Sequence, residues 1–404
     1  MTKAKPVTFR EIKTATERRL FLEKELKTNL PSISSFNFAE EEVSGRNIEN
    51  LIGATQIPLG IAGPIAIHYP LRTTNYYLPL ATTEGALVAS ISRGCKAVTQ
   101  SGGAIVALNT VGMTRGPVFK TRNITHSYDT QRLIAKNFTK LQKAARTTSS
   151  HLSLLKIETN FVGKNLYCRL YFDTTDAMGM NMATFASANV CNYIEELTDA
   201  TLVSLAGNYD TDKKPSWLNF ISGRGKQAWA EITIPKNIVR ETLKTTPEKI
   251  VNIVQTKQHL GSIMSGSMGY NAHFANIIAA IFIATGQDPA HIVEGSLGVT
   301  TAEVEPNGNL YFSIYLPALV IGTVGGGTTL PSQKEALGIL AAGGQTDRPA
   351  RQSPKGGGGT RPLDANELAS VIAAAVLAGE LSLTASLAEG SLARAHKRLA
   401  RSHK

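Results

Sequence analysis

Two adjacent lysines, Lys213 and Lys214, lie between an aspartate and a proline in the stretch GNYDTDKKPSW, residues 207–217. A lysine pair in a globular chain is often part of a solvated turn on the surface. The alternative is that the two ammonium groups hold negative charge inside a binding or catalytic site. The stretch itself does not decide between these interpretations, so the rest of the chain has to.

Three further residues, Glu84, Asp288 and His396, have side chains suited to acid–base chemistry. Each also has an ordinary structural explanation. Glu84 follows two threonines at a predicted helix start, where a carboxylate often complements the helix dipole. Asp288 lies in ATGQDPA, a predicted helix-ending turn in which aspartate is common. His396 lies in the last turns of the final predicted helix, where histidine also complements the dipole. None of the three is specific by itself.

The glycine-rich segments do not match a standard phosphate-binding loop, since the chain has neither G-x-G-x-x-G after a strand nor a P-loop. Two other segments are DAMGMNMA, residues 176–183, and GTVGGGTTLP, residues 322–331. Consecutive glycines after a strand allow close approach of the main chain and leave N–H groups for an anion, although a flexible turn has the same composition. Methionines and a glycine that open a helix could form an apolar shelf for a flat ring and a pyrophosphate, but methionines at helical spacing are also typical of a core.

The elements that must position these residues follow from hydrophobic periodicity and from the glycines and prolines that interrupt it. An amphipathic helix is predicted over residues 8–30. A second helix is predicted in TTEGALVASISRGCKAV, with Glu84 in its first turn behind a capping box, and a third in NAHFANIIAAIFIATG. Residues 364–402 are predicted to form one or two helices. Strands are predicted in residues 51–70, in WAEITIP and in residues 310–325. Residues 117–205 alternate strand-like and helix-like segments and are predicted to form a compact α+β module. Residues 343–362 are predicted to form a flexible loop.

The composition predicts a folded protein, since 42% of the 404 residues are hydrophobic and 18% are charged. The chain contains no run of 18 or more apolar residues and no apolar N-terminal segment, which predicts neither a membrane span nor a secretory signal. Three widely spaced cysteines, Cys95, Cys168 and Cys191, predict neither a disulfide framework nor a zinc site. We therefore expect a reducing, cytoplasmic environment.

The net charge of +11 admits either a nucleotide cofactor or nucleic acid as a partner. The basic tail, residues 394–404, contributes part of this charge, but basic tails are more often solvated than functional. No aromatic interleaving and no helix-turn-helix spacing favours a nucleic-acid groove.

Nine segments in a fixed order carry a resemblance to a known family. They are ENLIGATQIPLGIAGP, TTEGALVASISRGCKA, GMTRGPV, DAMGMNM, GNYDTDKKP, NAHFANI, IFIATGQDP, GTVGGGT and LAGELSLTASLAEG. From about residue 45 to the C-terminus, the chain closely resembles the catalytic region of class I 3-hydroxy-3-methylglutaryl-coenzyme A (HMG-CoA) reductases, without the membrane anchor of that family. The resemblance implies that two NADPH reduce HMG-CoA, through a thiohemiacetal and an aldehyde, to mevalonate and free CoA.

The resemblance also implies a role for each matching residue. Lys213 matches the lysine that stabilises the oxyanion, and Glu84 matches the acid that protonates the developing alkoxide. Asp288 matches the carboxylate that links those two residues, and His396 matches the histidine that protonates the departing thiolate. On this basis we expect that the lysine pair is not solvated. Substrate contacts are implied for Ser90, Arg93, Arg115, Asn208, Asp212, Lys214, Lys257 and Asn276. Contacts to the nicotinamide cofactor are implied for Asp176, Met178, Gly179, Met180, Asn181, Gly325, Gly326, Gly327 and Thr328.

The implied fold is α/β, of the α+β type, with a small ferredoxin-like cofactor-binding domain inserted into a large substrate-binding domain. We expect an N-terminal helical segment in residues 1–50, the large domain in residues 51–116 and 206–404, and the NADP(H)-binding domain in residues 117–205. The implied partners are HMG-CoA, CoA and further copies of the chain, with neither nucleic acid, membrane nor metal. The implied active site lies between two subunits of a homodimer or homotetramer, with the lysine loop from one subunit and Glu84 from the other.

The chain departs from the family pattern at several positions. The segment TTSSHLS, residues 147–153, lacks the arginine expected near the 2′-phosphate of the cofactor. NADPH is expected from the resemblance, but NADH stays an alternative because this arginine is missing. Arg146 could take its place. Ala206 stands where serine is common, and Ile292 stands where asparagine is usual. These departures keep open a second interpretation, in which the chain is a non-catalytic homologue that binds CoA or a nucleotide.

Overall fold

The computed structural model describes residues 9, 11–70, 72–344 and 362–390. Its strands are β1 (Leu59–Tyr69), β2 (Arg72–Ala81), β3 (Ala104–Arg115), β4 (Val118–Lys120), β5 (Ser153–Val162), β6 (Asn165–Asp173), β7 (Thr201–Ser204), β8 (Gly225–Ile234), β9 (Gly269–Tyr270), β10 (Gly298–Val304) and β11 (Leu310–Leu319). Its α-helices are α1 (Ala15–Leu26), α2 (Glu40–Val43), α3 (Leu87–Gln100), α4 (Ile124–Lys136), α5 (Phe138–Arg146), α6 (Met180–Thr198), α7 (Trp217–Ser222), α8 (Lys236–Thr242), α9 (Pro247–Ile253), α10 (Ser262–Ser265), α11 (Phe274–Thr285), α12 (Ile292–Gly295), α13 (Pro331–Gly343) and α14 (Ala365–Glu389). A π-helix, Val254–Gly261, continues α9, and two 3-10 turns cover Pro289–His291 and Gly326–Thr329.

The strands of the described residues form one sheet in two parts that share β3. Residues 105–112 of β3 pair with β8, and residues 113–115 pair with β6. Gly112 lies where the partner changes, with a φ of 100°, and a Cβ there would lie 2.8 Å from the carbonyl oxygen of Phe172. The strand therefore requires glycine at the point where it passes from one part of the sheet to the other.

The smaller part of the sheet is a ferredoxin-like α+β unit. Its strand order is β7-β4-β6-β5, and each neighbouring pair is antiparallel. The chain runs from β4 through α4 and α5 to β5, turns directly into β6, and returns through α6 to β7. This is the β-α-β-β-α-β order, and the unit has an apolar core of its own that includes Phe119, Leu166 and Val190. The predicted fold class and the compact α+β module are confirmed.

The larger part of the sheet packs against the central helix α14, which also contacts α3 and α11. The residues of α14 are mostly alanine, leucine and valine, and nearly all of them are buried. By length and composition α14 could cross a membrane, although 94% of its apolar stretch is buried inside the protein. The criterion of an unbroken apolar run missed this helix, because Glu380 and several serines interrupt it.

The ends of several elements differ from the predictions. The N-terminal helix predicted over residues 8–30 covers only Ala15–Leu26, and the prediction that it is amphipathic is wrong, because Ala15 and Arg18 are its only buried residues. The helix predicted over residues 364–402 is present up to Glu389, and residues beyond 390 lie outside the described residues. The loop predicted over residues 343–362 overlaps a helix at its first residue, since α13 continues to Gly343, while residues 345–361 are not described.

The start of α3 also differs from its prediction. The helix begins at Leu87, and Ala86 before it is left-handed, with a φ of 73° and no side-chain cap. The hydroxyl of Thr82 accepts the main-chain N–H of Glu84 at 3.0 Å, which closes a turn instead of capping a helix. The prediction of a capping box with Glu84 in the first helical turn is therefore wrong.

All three cysteines are buried and free. Burial raises the pKa of the Cys95 and Cys168 thiols to about 12, and it also raises the pKa of Cys191. These thiols are therefore protonated at neutral pH and inert as nucleophiles.

Candidate active site

The lysine pair lies on the loop between β7 and α7, which we call the lysine loop (residues 205–216). The Nζ of Lys213 lies 2.9 Å from Oδ2 of Asp288 and forms an ion pair with it. Asp288 is itself fixed, because its carboxylate accepts the main-chain N–H of Ala290 at 3.0 Å and caps the 3-10 turn that follows. The structure thus brings Lys213 and Asp288 together within one chain.

The environment of Asp288 favours its ionised form. Burial by itself raises the pKa of Asp288. The hydrogen bonds from Lys213 and from the Ala290 amide, together with the charges of His291 and Lys213, outweigh burial and hold the pKa below its ordinary value of 3.8. A carboxylate that stays negative holds the Lys213 ammonium in a defined place.

The lysine side chains are partly open to solvent, which differs from the expectation that the pair is not solvated. The side chain of Lys213 is 41% exposed. Lys214 is also exposed, and its Nζ donates to the carbonyl oxygen of Asp212 at 3.3 Å. The main-chain N–H of Lys213 points inward and donates to Oε1 of Glu294 at 2.8 Å. Because the main chain is turned inward, the Lys213 side chain projects outward over Asp288.

The main chain of the lysine loop is left-handed at three residues that are not glycine. The φ angles of Asn208, Thr211 and Lys213 are 63°, 56° and 55°. This conformation costs L-residues about 1–2 kcal/mol each, so surrounding contacts have to maintain it. At Thr211 the contact comes from Asn219, whose amide donates to the Thr211 carbonyl oxygen at 3.0 Å and accepts from buried Arg169 at 3.0 Å.

The two segments predicted to contact a nicotinamide cofactor lie side by side. The main-chain N–H of Thr323 donates to the carbonyl oxygen of Asp176 at 2.8 Å. A Cβ on Gly322 would lie 2.3 Å from the main-chain nitrogen of Met178, so this approach requires glycine. Helix α6 begins directly after Gly179, whose φ is 82°. The remaining predicted cofactor residues belong to the same two segments: Met180 and Asn181 in the first turn of α6, and Thr328 in the glycine loop (residues 322–329).

The glycine loop also packs directly against the turn that carries Asp288. A Cβ on Gly286 would lie 2.3 Å from the carbonyl oxygen of Gly327. By contrast, a Cβ on Gly325 or Gly326 would meet nothing within 4 Å, so these two glycines form an open face of the loop. The candidate cofactor segment and the Lys213–Asp288 pair are therefore adjacent.

Arg115 connects the lysine loop to α6. Its Nη1 lies 3.6 Å from Oδ2 of buried Asp210 in the lysine loop, and its Nε donates to Oγ1 of Thr184 in α6 at 2.9 Å. Thr184 in turn donates to the carbonyl oxygen of Met180 at 2.8 Å. The predicted substrate contact Arg115 thus lies at the junction between the two segments.

Two further predicted substrate contacts share one cleft with the lysine loop. The cleft is open, has a volume of about 820 Å³, and is lined by Pro215, directly after the lysine pair. Lys257 of the π-helix and Asn276 of α11 lie on its wall. The cleft therefore presents an ammonium group and an amide beside the lysine loop.

Ser90 and Arg93 make their described contacts with α14 and not with the lysine loop. The hydroxyl of Ser90 lies 3.0 Å from the hydroxyl of Ser382, and Nε of Arg93 donates to the same hydroxyl at 3.0 Å. Burial lowers the pKa of Arg93, although the nearby charge of Glu389 opposes this effect. In this structure the two residues connect α3 to α14.

The structure of one chain does not bring all four predicted catalytic residues together. Glu84 is exposed on the turn before α3, and no contact among the described residues joins it to Lys213 or Asp288. His396 lies outside the described residues. The assembled part of the predicted set is therefore the pair of Lys213 and Asp288.

Sequence analysis missed three residues that lie behind this pair, Arg224, His291 and Glu294. All three are fully buried. Arg224 donates from Nη1 to Oε1 of Glu294 at 2.6 Å and from Nη2 to Oδ1 of Asp212 at 3.0 Å. Their spacing from Asp288 could have indicated His291 and Glu294, because residues three apart lie on one face of a helical turn.

The same region has a set of side chains with metal-ligand chemistry. Asp212, His291 and Glu294 offer ligand atoms within 4.8 Å of one another. The guanidinium of Arg224 donates to both carboxylates, so it already supplies the positive charge at this place. A metal ion would compete with a buried arginine there, and we assign no metal site.

We expect that Asp288→Asn lowers the free energy of unfolding by its full amount above about pH 4, and that this difference shrinks as the pH falls further. A carboxylate whose pKa is lower in the folded state contributes stability above its unfolded pKa of about 3.9, and this contribution is lost as the pH falls through the folded value. Asparagine keeps an acceptor for the Ala290 amide but removes the charge that faces Lys213. Urea unfolding of both proteins at about pH 7, 5 and 3 measures the difference, and an equal difference at all three would contradict the lowered pKa.

Comparison with known proteins shows similarity along most of the chain. The family described as hydroxymethylglutaryl-coenzyme A reductase matches residues 14–401. The chain is 48% identical over 390 residues to the 3-hydroxy-3-methylglutaryl-coenzyme A reductase of Pyrococcus horikoshii, which covers 96% of this chain and 92% of that protein. It is 47% identical over 396 residues to the protein of the same name from Methanocaldococcus jannaschii, with coverages of 96% and 93%.

A solved structure has a similar fold at low sequence identity. It is the class II 3-hydroxy-3-methylglutaryl-CoA reductase from Streptococcus pneumoniae bound to NADPH, with a TM-score of 0.65 and 19% identity. The similarity covers 94% of this chain and 98% of that chain. The family match and the two relatives lead to one conclusion: the chain belongs to the hydroxymethylglutaryl-coenzyme A reductase family of oxidoreductases.

Proposed function

We propose that the chain is a class I HMG-CoA reductase that reduces HMG-CoA to mevalonate and CoA, with NADPH as the hydride donor. The observation that carries the proposal is the ion pair of Lys213 and Asp288, at 2.9 Å, on a turn packed against the glycine loop. This arrangement places a fixed positive charge beside a main-chain segment suited to a nucleotide. The relatives that share 47% and 48% of their residues with the chain carry the same reductase name, which supports the reaction.

The glycine loop and the start of α6 fit a nicotinamide nucleotide. Gly325 and Gly326 have φ angles of 79° and 56°, and the space where a Cβ would lie is open at both, so a ligand can approach the main chain closely. The N-terminus of α6 lies beside this loop, and its free N–H groups and dipole favour a phosphate. When bound, NADPH supplies the hydride. We propose Arg146 as the contact for its 2′-phosphate, because the adjacent Thr147 is joined to α6 through Asn189 at 2.9 Å.

The proposed mechanism assigns one task to each catalytic residue. In both reductions the carbonyl carbon gains a hydride and its oxygen becomes an oxyanion, which the Nζ ammonium of Lys213 stabilises. Glu84 donates a proton to that oxygen, and Asp288 holds the ammonium in place. After the first reduction the hydroxyl of the thiohemiacetal returns its proton to Glu84 as the C–S bond breaks, which gives an aldehyde and the CoA thiolate. His396 protonates the sulfur, which prevents its return to the aldehyde, and the second reduction gives the primary alcohol of mevalonate.

We propose that the substrate binds across the cleft beside the lysine loop. HMG-CoA is anionic at both ends, through the carboxylate of its acyl group and the phosphates of CoA. Arg115 beside the lysine loop and Lys257 on the cleft wall provide matching positive charge. Further contacts to substrate are proposed for Ser90, Arg93, Asn208, Asp212, Lys214 and Asn276.

The same proposal covers class, domains and assembly. The assignment to class I rests on the nine ordered segments that resemble that class. Two separate apolar cores support the division into a small domain, residues 117–205, and a large domain, residues 51–116 and 206–404.

The exposed position of Glu84, apart from Lys213, supports a site that a second subunit of a homodimer or homotetramer completes. A cytoplasmic location stays a prediction.

The test of the proposed function is the absorbance at 340 nm when purified protein, HMG-CoA and NADPH are mixed. We expect oxidation of about two NADPH per HMG-CoA, because each reduction consumes one hydride. A parallel reaction with NADH measures the cofactor preference that the missing arginine leaves open. No oxidation with either cofactor would contradict the proposal and favour a non-catalytic homologue, for which the departures at Ala206 and Ile292 are the motivation.

A further inference from the structure

A buried charged cluster lies directly beneath the lysine loop, and the roles assigned above do not use it. The buried cluster consists of Arg224, His291 and Glu294, which are all fully buried. One oxygen, Oε1 of Glu294, accepts from Nη1 of Arg224 at 2.6 Å, from the main-chain N–H of Lys213 at 2.8 Å and from Nδ1 of His291 at 3.2 Å. A buried charge pair of this kind is costly to desolvate, so its presence calls for an explanation beyond stability.

The buried cluster contacts the main chain of Lys213 directly, and it lies next to the carboxylate that pairs with the Lys213 ammonium. At the main-chain end, Glu294 accepts the Lys213 N–H. At the side-chain end, the ammonium of Lys213 contacts Asp288, whose Oδ2 lies 3.7 Å from Nε2 of His291. The main chain of Lys213 is therefore held by the buried cluster, and its ammonium is held by Asp288, which lies next to that cluster.

The cluster also maintains the main-chain conformation from which the lysine projects. Lys213 has a φ of 55°, a left-handed conformation that is strained for an L-residue. The residue before it, Asp212, is held through Oδ1 by Nη2 of Arg224 at 3.0 Å. A strained conformation persists only where surrounding contacts determine it fully, and the bonds from Arg224 and Glu294 to two successive residues are such contacts.

We propose that Glu294 is a positioning residue for the reduction. It fixes the main chain of Lys213 so that the ammonium stands over Asp288 before substrate arrives, while Arg224 and His291 hold the Glu294 carboxylate in place. Glu294 acts through Lys213 and does not touch the substrate. The inference rests on the proposed function, since it gives Glu294 a part in the step that Lys213 performs.

The alternative is that Glu294 only neutralises Arg224 and so stabilises the fold. The two explanations predict different couplings to Lys213. A purely structural residue lowers activity to the same extent whether or not Lys213 is present. A positioning residue loses its effect once the side chain that it positions has been removed.

The variant that tests the proposal is Glu294→Gln, which keeps the shape but removes the charge that holds the Lys213 N–H and the Arg224 guanidinium on one oxygen. Arg224 retains Asp212 as a counterion, so it is not left without a partner. We expect kcat with HMG-CoA and NADPH to fall roughly ten- to a hundredfold, because small displacements of a catalytic group have effects of this size. The KM for NADPH is expected to stay near that of the unchanged protein, whereas the thermal midpoint is expected to fall because Arg224 loses one of its two carboxylate partners.

The decisive measurement is the same substitution in a Lys213→Ala background, where we expect Glu294→Gln to change kcat by less than about twofold. The matched control is Glu195→Gln in α6, since Glu195 also accepts a main-chain N–H, that of Leu202 at 2.6 Å, away from the lysine loop. The control is expected to keep its activity. An unchanged kcat in Glu294→Gln, or an equal loss in both backgrounds, would overturn the proposal. If the unchanged protein does not oxidise NADPH at all, the proposed function fails instead.

A second pair of variants applies if Glu294→Gln does not fold. His291→Leu leaves the pair of Arg224 and Glu294 intact but removes both the donor to Glu294 and the ring nitrogen that lies 3.7 Å from Asp288, and it is expected to lower kcat. His291→Asn places an amide N–H close to the position of Nδ1 and is expected to recover most of that loss. Equal activity of the leucine variant and the unchanged protein would overturn the proposal.

Discussion

Lys213→Ala is expected to lower kcat about 100- to 1,000-fold, which is the usual effect of removing one oxyanion-stabilising group. The ammonium of Lys213 lies 2.9 Å from Asp288 beside the glycine loop. Among the described residues, no other lysine or arginine forms an ion pair with Asp288. The loss should appear in kcat more than in the KM for NADPH, because the charge is needed mainly when the carbonyl oxygen becomes negative. Steady-state oxidation of NADPH at 340 nm measures both parameters.

The matched control for this substitution is Lys244→Ala. Lys244 is also an exposed, left-handed lysine, with a φ of 58° against 55° for Lys213, but it lies between α8 and α9, outside the lysine loop. Both substitutions place alanine in the same main-chain conformation, so they share any cost in folding. Lys244→Ala is expected to keep full activity. A kcat of Lys213→Ala close to that of the control would remove Lys213 from the mechanism.

The sequence was sufficient for the architecture where the periodicity was strong. Residues 117–205 alternate strand and helix patterns, and the structure has the ferredoxin-like unit there; the apolar pattern of α14 likewise matches a buried helix. Element ends were less predictable, because they depend on single main-chain conformations. The start of α3 was misplaced since Thr82 closes a turn and Ala86 is left-handed, and neither feature has a periodic signal.

The candidate site was predictable only in its local parts. The lysine pair and the glycine segments are short stretches that can be recognised directly in the sequence. Their contact cannot be recognised in this way, because Lys213 and Asp288 are 75 positions apart in the chain. The buried cluster was missed because Arg224 and Glu294 lie 70 residues apart, and each resembles a surface charge when taken alone. Pairing between distant charges depends on tertiary structure, which periodicity does not report.

The second large effect is expected when two inactive variants, Lys213→Ala and Glu84→Gln, are produced together. If each site takes Lys213 from one subunit and Glu84 from its neighbour, random assembly leaves on the order of one quarter of the sites intact. Glu84 is exposed and has no described contact with Lys213, so one chain alone does not join them. We therefore expect the mixture to have about a quarter of the normal turnover, while each variant alone has almost none. Turnover per site at 340 nm, after equal expression of the two chains, measures this.

The control for this recovery is a mixture of Lys213→Ala with Asp288→Asn. These two side chains form their ion pair within one chain, so every site in that mixture lacks one of them, and no recovery is expected. Comparing the two mixtures shows whether recovery requires a site shared between subunits or results from mixing the chains alone. Recovery with Glu84→Gln but not with Asp288→Asn assigns the acid to the neighbouring subunit. Failure of both mixtures, although the two chains are shown to assemble together, would place Glu84 and Lys213 of one chain in the same site and require Glu84 to move towards the lysine loop.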